Sequence, residues 1–312
     1  MIGGAQRTVA TLRRAASLDT RVETSGDCSS ESISWSDVVV LHAWRKRSRS
    51  DLNIPRRLRG IAERPVIVFN HDWEGRYEGN ADLVLVPSEF AASNWNGPQR
   101  VAVLPGGISL DRFLEVAYAR TWSAPAVVGR LSTLYPAKIS PRTLEYWPRI
   151  DAREFLIGGG GSELGVLQYA CTDRRFRFAG EIPPSSSHEF FSQIDIFLYD
   201  TEWHVESFGY VVLEALAAGC VVVAARRGAI SELIDHGRNG FLFDAPEQAV
   251  ELCNGLLRDP ARCRAISEAG IATALRFPAE LMIRDFTTHV MQALQRRNVT
   301  SVTPTRRFGT GA

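Results

Sequence analysis

The sequence predicts an α/β protein built from two doubly wound, Rossmann-like domains, and three observations carry that prediction. The chain has 312 residues, room for two domains that each bury a core. Its short runs of Val, Ile, Leu and Phe are continuous rather than alternating, as in strands covered on both faces of a parallel sheet. Stretches with helical patterning separate those runs, which is the signature of βαβ units.

The first series of strands is predicted at 38–41, 66–69, 83–86 and 101–104, with a short edge strand at 21–24. The segment LPGGISLDRF (104–113) and a following stretch closing with Ser123, Ala124 and Pro125 interrupt the pattern and read as the interdomain connection. The second series is predicted at 126–128, 154–157, 176–178, 196–199, 220–224 and 240–243. Among its helices, 208–218 opens after Ser207 and closes at Gly219, and 246–258 follows Asp244 and stops before Asp259 and Pro260. An amphipathic helix spans 278–297, and 299–312 has the composition of a frayed tail. The expected division is therefore 1–115 and 125–277, with a terminal helix over 278–298 crossing back to the first domain and a flexible tail at 299–312.

Composition narrows the function. Hydrophobic residues make up 45% and charged residues 23%, an ordinary globular balance. Lys plus Arg (36) nearly cancels Asp plus Glu (35), so no global field favours nucleic acid. Five cysteines without a C-x-x-C pair speak against a zinc site or a disulfide framework and suit a reducing cytoplasm. The N-terminus lacks an apolar run of signal-peptide length, and no stretch is long and apolar enough to span a bilayer.

The most informative stretch is ESFGYVVLEALAAGCVVVAARRGAISELIDHGRNGFLFD, 206–244. Glu206 precedes a helix starting near Phe208 and Gly209, whose first-turn amides attract an anion. Glu214 lies among Leu213, Ala215, Leu216 and Ala217, where a carboxylate needs a partner. One carboxylate at an anion-binding helix end and one deeper suit a ligand with phosphate and vicinal hydroxyls, such as a nucleoside diphosphate sugar.

The E-x7-E spacing of Glu206 and Glu214, followed by A-x-G-C-x-V-V-A and G-A-x-S-E-L, resembles the donor-binding signature of retaining glycosyltransferases of family 4, which have the GT-B fold. IGGAQRTVATLRR (2–14) resembles that family's glycine-rich loop and first helix. ADLVLVPSEFAASNW (81–95), VLPGGISLDRF (103–113) and VVGRLSTLYPAK (127–138) match later pieces in order.

The resemblance implies that Arg130 and Lys138 contact the donor diphosphate and offset the charge growing on the leaving group. It implies that Glu214 binds the ribose hydroxyls and that Glu206 faces the donor sugar, with Ser207, Phe208 and Gly209 close to sugar or phosphate. His71 matches a histidine at the first domain's edge of the cleft, although His42 and His204 are also plausible there. Gly3 and Gly4 would let backbone approach donor and acceptor. No cofactor or metal is expected beyond the nucleotide-sugar substrate, in keeping with the lack of a D-x-D triplet.

The glycine run GGGGSELG (158–165) matches neither G-x-G-x-x-G nor a Gly-Lys-Ser/Thr loop and reads as a strand-to-helix turn. Between 45 and 59 the residues Arg45, Lys46, Arg47, Arg49, Arg56, Arg57 and Arg59 face a single Asp. They suit an anionic acceptor or an acidic membrane surface, at about 1 kcal/mol per basic residue, and equally a solvated face. The chain begins Met-Ile-Gly-Gly, leaving no room for the buried strand that precedes the family's glycine-rich loop, so the first domain is expected to be truncated at its N-terminus. The function expected is retaining, metal-independent sugar transfer from a nucleoside diphosphate sugar to an acceptor. The rival readings are a GT-B nucleotide-sugar 2-epimerase and a non-catalytic nucleotide-sugar binding protein.

Overall fold

A computed structural model describes residues 38–43, 65–73, 81–139, 141–201 and 203–300. The predicted 21–24 strand, Gly3, Gly4, the basic run from Arg45 to Arg59 and residues 301–312 lie outside them.

The described part of the first domain is a parallel sheet in the order β1–β2–β3–β4: β1 (Val39–Ala43), β2 (Val66–Asn70), β3 (Leu83–Val86) and β4 (Val101–Val103). All of β2 and β3 is buried, which is why their sequences run apolar without alternation. A short helix, α1 (Glu89–Ser93), follows β3 with Ser88 as its N-cap.

Six parallel strands form the second sheet: β5 (Val127–Leu131), β6 (Glu154–Gly158), β7 (Phe176–Gly180), β8 (Ile196–Tyr199), β9 (Val221–Ala225) and β10 (Phe241–Phe243). Their spatial order is β10–β9–β8–β5–β6–β7, so the first and fourth strands of the series lie side by side at the centre. That is the doubly wound order, and its switch point falls between β5 and β8. Strand β7 alternates half-buried and exposed positions, as an edge strand covered on one face does.

In chain order, helix α2 (Asp111–Ala119) precedes this sheet, and within it follow α3 (Thr143–Tyr146), α4 (Leu164–Ala170), α5 (Ser187–Ser192), α6 (Tyr210–Ala217), α7 (Ile230–Leu233), α8 (Pro246–Leu257) and α9 (Pro260–Ala274). The last helix is α10 (Ala279–Thr300).

Two crossings connect the domains. Phe113 of α2 joins the core of the second sheet, and Arg120 just beyond α2 donates to the carbonyls of Ile194 (2.7 Å) and Phe191 (2.9 Å). The first half of α2 therefore belongs with the second domain rather than with a unit running to 115. In the other direction, Met282 and Ala293 of α10 pack with Ile67, Phe69, Leu83, Leu85 and Leu104 of the first sheet. The crossings touch: the Ile108 amide donates to the Phe277 carbonyl (3.1 Å), and the Ala279 amide donates to the Ile108 carbonyl (2.9 Å). Gly107 is required there, because a Cβ would sit 2.8 Å from the Pro278 carbonyl oxygen. No described helix is long and apolar enough to cross a membrane.

Candidate functional site

In a doubly wound sheet, ligands bind beyond the carboxyl ends of the strands at the switch point. Here those ends are Arg130 and Leu131 on β5 and Tyr199 on β8, with Asp200 directly after it. Residue 129 is glycine because the Ile194 side chain, just before β8, packs over it; a Cβ there would meet Ile194 Cγ2 at 2.3 Å.

Arg130 departs from the expectation. Its side chain has no exposed surface, and its guanidinium forms an ion pair with Asp200, which also accepts through its backbone carbonyl. Nη2 donates to the Lys138 carbonyl (2.9 Å) and to Ser132 Oγ (3.2 Å). The other Asp200 carboxylate oxygen accepts from Thr143 Oγ1 (3.1 Å), Trp147 Nε1 (3.0 Å) and the Tyr146 hydroxyl. Burying two charges is costly unless lone pairs and protons find partners, and the Asp200 carboxylate is satisfied by four donors, whereas Arg130 Nε alone of the guanidinium nitrogens makes no hydrogen bond. Arg130 thus stands behind the site and holds the Lys138 loop by its backbone, where a phosphate contact was expected.

Lys138 does reach the site. Its Nζ lies 2.8 Å from Glu206 Oε1 and 3.2 Å from the Tyr199 hydroxyl, with 17% of the side chain exposed. The same carboxylate oxygen accepts from the Tyr199 hydroxyl and lies 3.1 Å from His204 Nε2. The second imidazole nitrogen, Nδ1, is 2.9 Å from the Tyr135 hydroxyl. Burial pushes the Glu206 carboxyl upward, but Lys138 and His204 outweigh it and hold the group well below the usual carboxylate range. Glu206 is therefore ionised at neutral pH, an acceptor rather than an acid. Burial, with Glu206 and Asp72 nearby, pushes the Tyr135 hydroxyl up to about 12.

The peptide after Glu206 leads into α6. Gly209 adopts φ +98 just before the helix, and a Cβ there would sit 2.7 Å from Ile230 Cδ1. The positive end of the α6 dipole thus lies three residues from Glu206. The backbone between them is anchored twice: the Ala229 amide donates to the Glu206 carbonyl (2.9 Å), and Ser207 Oγ donates to the His71 carbonyl of the first domain (2.8 Å). His71 follows β2 with its ring tilted against Phe69 at 4.5 Å between centroids, and the Ser207 bond to its carbonyl places it at the cleft edge beside the residues that lead into α6. Phe208 is buried, and it and Tyr210 lie against Gly106, where a Cβ would come within 2.6 Å of both rings. Glu214 is 4% exposed, a little over one turn into α6.

A second bridge spans the cleft: Glu232 of α7 accepts from the amides of Glu89 (3.1 Å) and Phe90 (2.6 Å), which open α1. The glycine run serves as a strand-to-helix turn after β6, with Gly159 and Gly161 at positive φ and the Leu134 amide donating to the Gly160 carbonyl (2.9 Å).

The structure therefore brings together Lys138, Glu206, Ser207, Phe208, Gly209 and His71, with Glu214 deeper on the same helix and Arg130 behind. Sequence reasoning missed Tyr199, Asp200 and Tyr135, and named His204 only as an alternative histidine. Their shared signal is position, at the end of β8 or in the loops that follow β5 and β8. Among the described residues, no group of three or more His, Cys, Asp or Glu side chains could hold a metal ion.

Comparisons with known proteins agree with this layout. Residues 127–273 match the family described as Glycosyl transferases group 1. The chain is 30% identical over 227 residues to the GDP-mannose-dependent alpha-(1-6)-phosphatidylinositol monomannoside mannosyltransferase of Mycolicibacterium smegmatis, covering 64% of this chain and 59% of that one. It is 28% identical over 232 residues to the D-inositol 3-phosphate glycosyltransferase of Segniliparus rotundus, covering 66% and 51%. The chain thus spans somewhat over half the length of these curated relatives.

Among solved structures, Anabaena HepE in complex with UDP and glucose superposes with a TM-score of 0.67 at 20% identity, over 82% of this chain and 78% of that one. A glycosyltransferase from Rickettsia africae does so with 0.68 at 15% identity, over 95% and 96%. The two parallel sheets have the GT-B fold of these solved structures, and the second of them lies in the stretch similar to the glycosyl transferases group 1 family.

Proposed function

We propose that this chain is a retaining glycosyltransferase that moves a sugar from a nucleoside diphosphate sugar to an acceptor hydroxyl, in the cleft between its two sheets and without a metal ion. The observation that carries this reading is the convergence of Lys138, Glu206 and the head of α6 at the switch point of the second sheet, across from His71. The relative named for GDP-mannose and the neighbour crystallised with UDP support a nucleotide-sugar donor.

In this mechanism the donor diphosphate lies at the α6 head, with Lys138 as its cation. As the anomeric C–O bond breaks, negative charge grows on the leaving phosphate, and Lys138 with the helix end offsets it. Glu206, held ionised, accepts a hydrogen bond from a donor-sugar hydroxyl, and Glu214 takes the ribose hydroxyls. The acceptor oxygen attacks the face that the phosphate vacates, so configuration is retained. Arg130 and Asp200 position the Lys138 loop and touch no substrate. On the acceptor side, relatives named for phosphatidylinositol mannoside and inositol 3-phosphate favour an anionic acceptor or an acidic membrane surface, with the Arg45 to Arg59 run as its counterpart.

A thermal-shift panel of UDP, GDP, ADP and their sugars tests the reading. One nucleotide series raises the melting temperature, and its sugar is slowly hydrolysed or transferred in the presence of EDTA. The absence of any shift across the panel overturns it, loss of turnover with EDTA overturns the metal-free mechanism, and epimerised donor released without an acceptor identifies an epimerase.

A further inference from the structure

The donor-site reading leaves a charge problem at Glu206, and the surrounding side chains suggest how it is met. Glu206 is 12% exposed at its side chain, and one of its oxygens, Oε1, receives Lys138 at 2.8 Å, His204 at 3.1 Å and the Tyr199 hydroxyl. A nucleoside diphosphate that recruits Lys138 competes with Glu206 for the same ammonium. A partly buried carboxylate stripped of its cation is expensive. The group placed to replace Lys138 is the imidazole already on the same oxygen.

Resting on that donor-site reading, we propose that His204 is a positioning residue that takes over Glu206 when the donor diphosphate draws Lys138 away, and that donor binding takes up a proton at His204. The proton comes from solvent and forms one N–H bond; no other bond changes.

The geometry suits both protonation states. Neutral His204 donates from Nε2 to Glu206 and accepts at Nδ1 from the Tyr135 hydroxyl (2.9 Å). Protonated His204 donates from both nitrogens, and Tyr135 turns its hydroxyl to accept. Tyr135 stays a neutral hydroxyl throughout the physiological range, since its pKa is pushed up to about 12. Among the described residues, the charged or titratable groups facing this imidazole are Tyr135 from the loop after β5 and Glu206 from its own loop. Lys138 and Tyr199 act through Glu206, and Asp72 of the first domain acts through Tyr135. The two cation carriers are also fixed to one another, because the His204 amide donates to the carbonyl of Ala137 (2.9 Å), the residue before Lys138. Recruitment of Lys138 thus need not displace the imidazole.

The test is isothermal titration of the whole chain with UDP and with GDP at pH 7.5, in buffers of different ionisation enthalpy. The wild type takes up a measurable fraction of a proton per nucleotide bound. His204→Gln, which keeps a donor for Glu206 but cannot titrate, binds several-fold more weakly and takes up none. Lys138→Met, in which no hand-off can occur, also binds without uptake, and far-UV circular dichroism confirms that both variants are folded. Nucleotide binding by the wild type without proton uptake, or uptake that persists in His204→Gln, overturns the hand-off and leaves the donor site standing. Failure of both nucleotides to bind the wild type overturns the donor site itself.

Discussion

Replacing Asp200 by Asn removes one charge and almost no volume, so it isolates what the Arg130 pair contributes. Arg130 has no exposed side-chain surface and Asp200 has 8%, so the guanidinium left behind cannot reach water. Breaking a buried pair in this way costs about 3–5 kcal/mol. A further penalty comes from the new amide, which turns an NH2 toward either Arg130 or the Thr143, Tyr146 and Trp147 donors. One such misplaced donor adds about 1–3 kcal/mol, and sharing a site makes the sum less than additive. A total of about 4 kcal/mol is a large part of the roughly 5–15 kcal/mol that holds a domain folded. At a urea slope of about 3 kcal/mol per molar, the unfolding midpoint falls by more than 1 M. The assay is urea unfolding followed by circular dichroism and tryptophan fluorescence, the latter suited because the Trp147 indole donates directly to Asp200. Adding Arg130→Met to Asp200→Asn removes the stranded cation and recovers most of the loss. A single Asp200→Asn variant within about 1 kcal/mol of wild type refutes the reasoning.

Three further predictions test the site and the cleft. Lys138→Ala lowers kcat by about 10- to 100-fold, which is 1.4 to 2.7 kcal/mol of lost leaving-group stabilisation, and changes KM less; steady-state kinetics with equal losses in both, or none in kcat, contradicts the assigned role. Gly209→Ala forces a Cβ into φ +98 and against Ile230. That costs about 1–2 kcal/mol from the backbone alone, so the melting temperature falls and nucleotide affinity falls with it, whereas an unchanged melt refutes the strain. Glu232→Ala removes the acceptor for the Glu89 and Phe90 amides, so the cleft widens and the radius of gyration in small-angle scattering rises, while the melting temperature hardly moves. An unchanged scattering profile shows that this bridge does not set the spacing of the domains.

The ten predicted strands within the described residues are all present, and the reason is local. A strand buried on both faces needs apolar side chains at successive positions, and β3, β8 and β9 supply them throughout and β2 up to its last residue. The head of α6 was legible on the same footing, since a glycine preceded by Glu and Ser and followed by an apolar run reads as a helix start wherever it occurs. The sheet against which a helix packs is not local information. Helix α2 follows the first series in sequence, yet Phe113 inserts beside Phe191 of α5, with ring centroids 6.2 Å apart. Nothing in the spacing of its own apolar residues distinguishes the two surfaces.

The site divides along the same line. Lys138 and Glu206 are separated by 68 positions and Arg130 and Asp200 by 70, so motifs pick out Lys138, Glu206 and Arg130 but neither pairing, and none picks out Asp200. The pairing is set by register: Gly129 of β5 lies beside Phe197 of β8, which puts the residues following each strand face to face. A lysine and an arginine in adjacent motifs look equivalent in sequence, as two cations for one diphosphate. What separates them is which one finds a buried carboxylate. Asp200 comes directly after the fourth strand of a doubly wound series, the strand that flanks the crevice with the first. A charged residue at that position faces the strand carrying Arg130, and it is the spatial order of the strands, not their order in the chain, that makes it the counterion of a buried support.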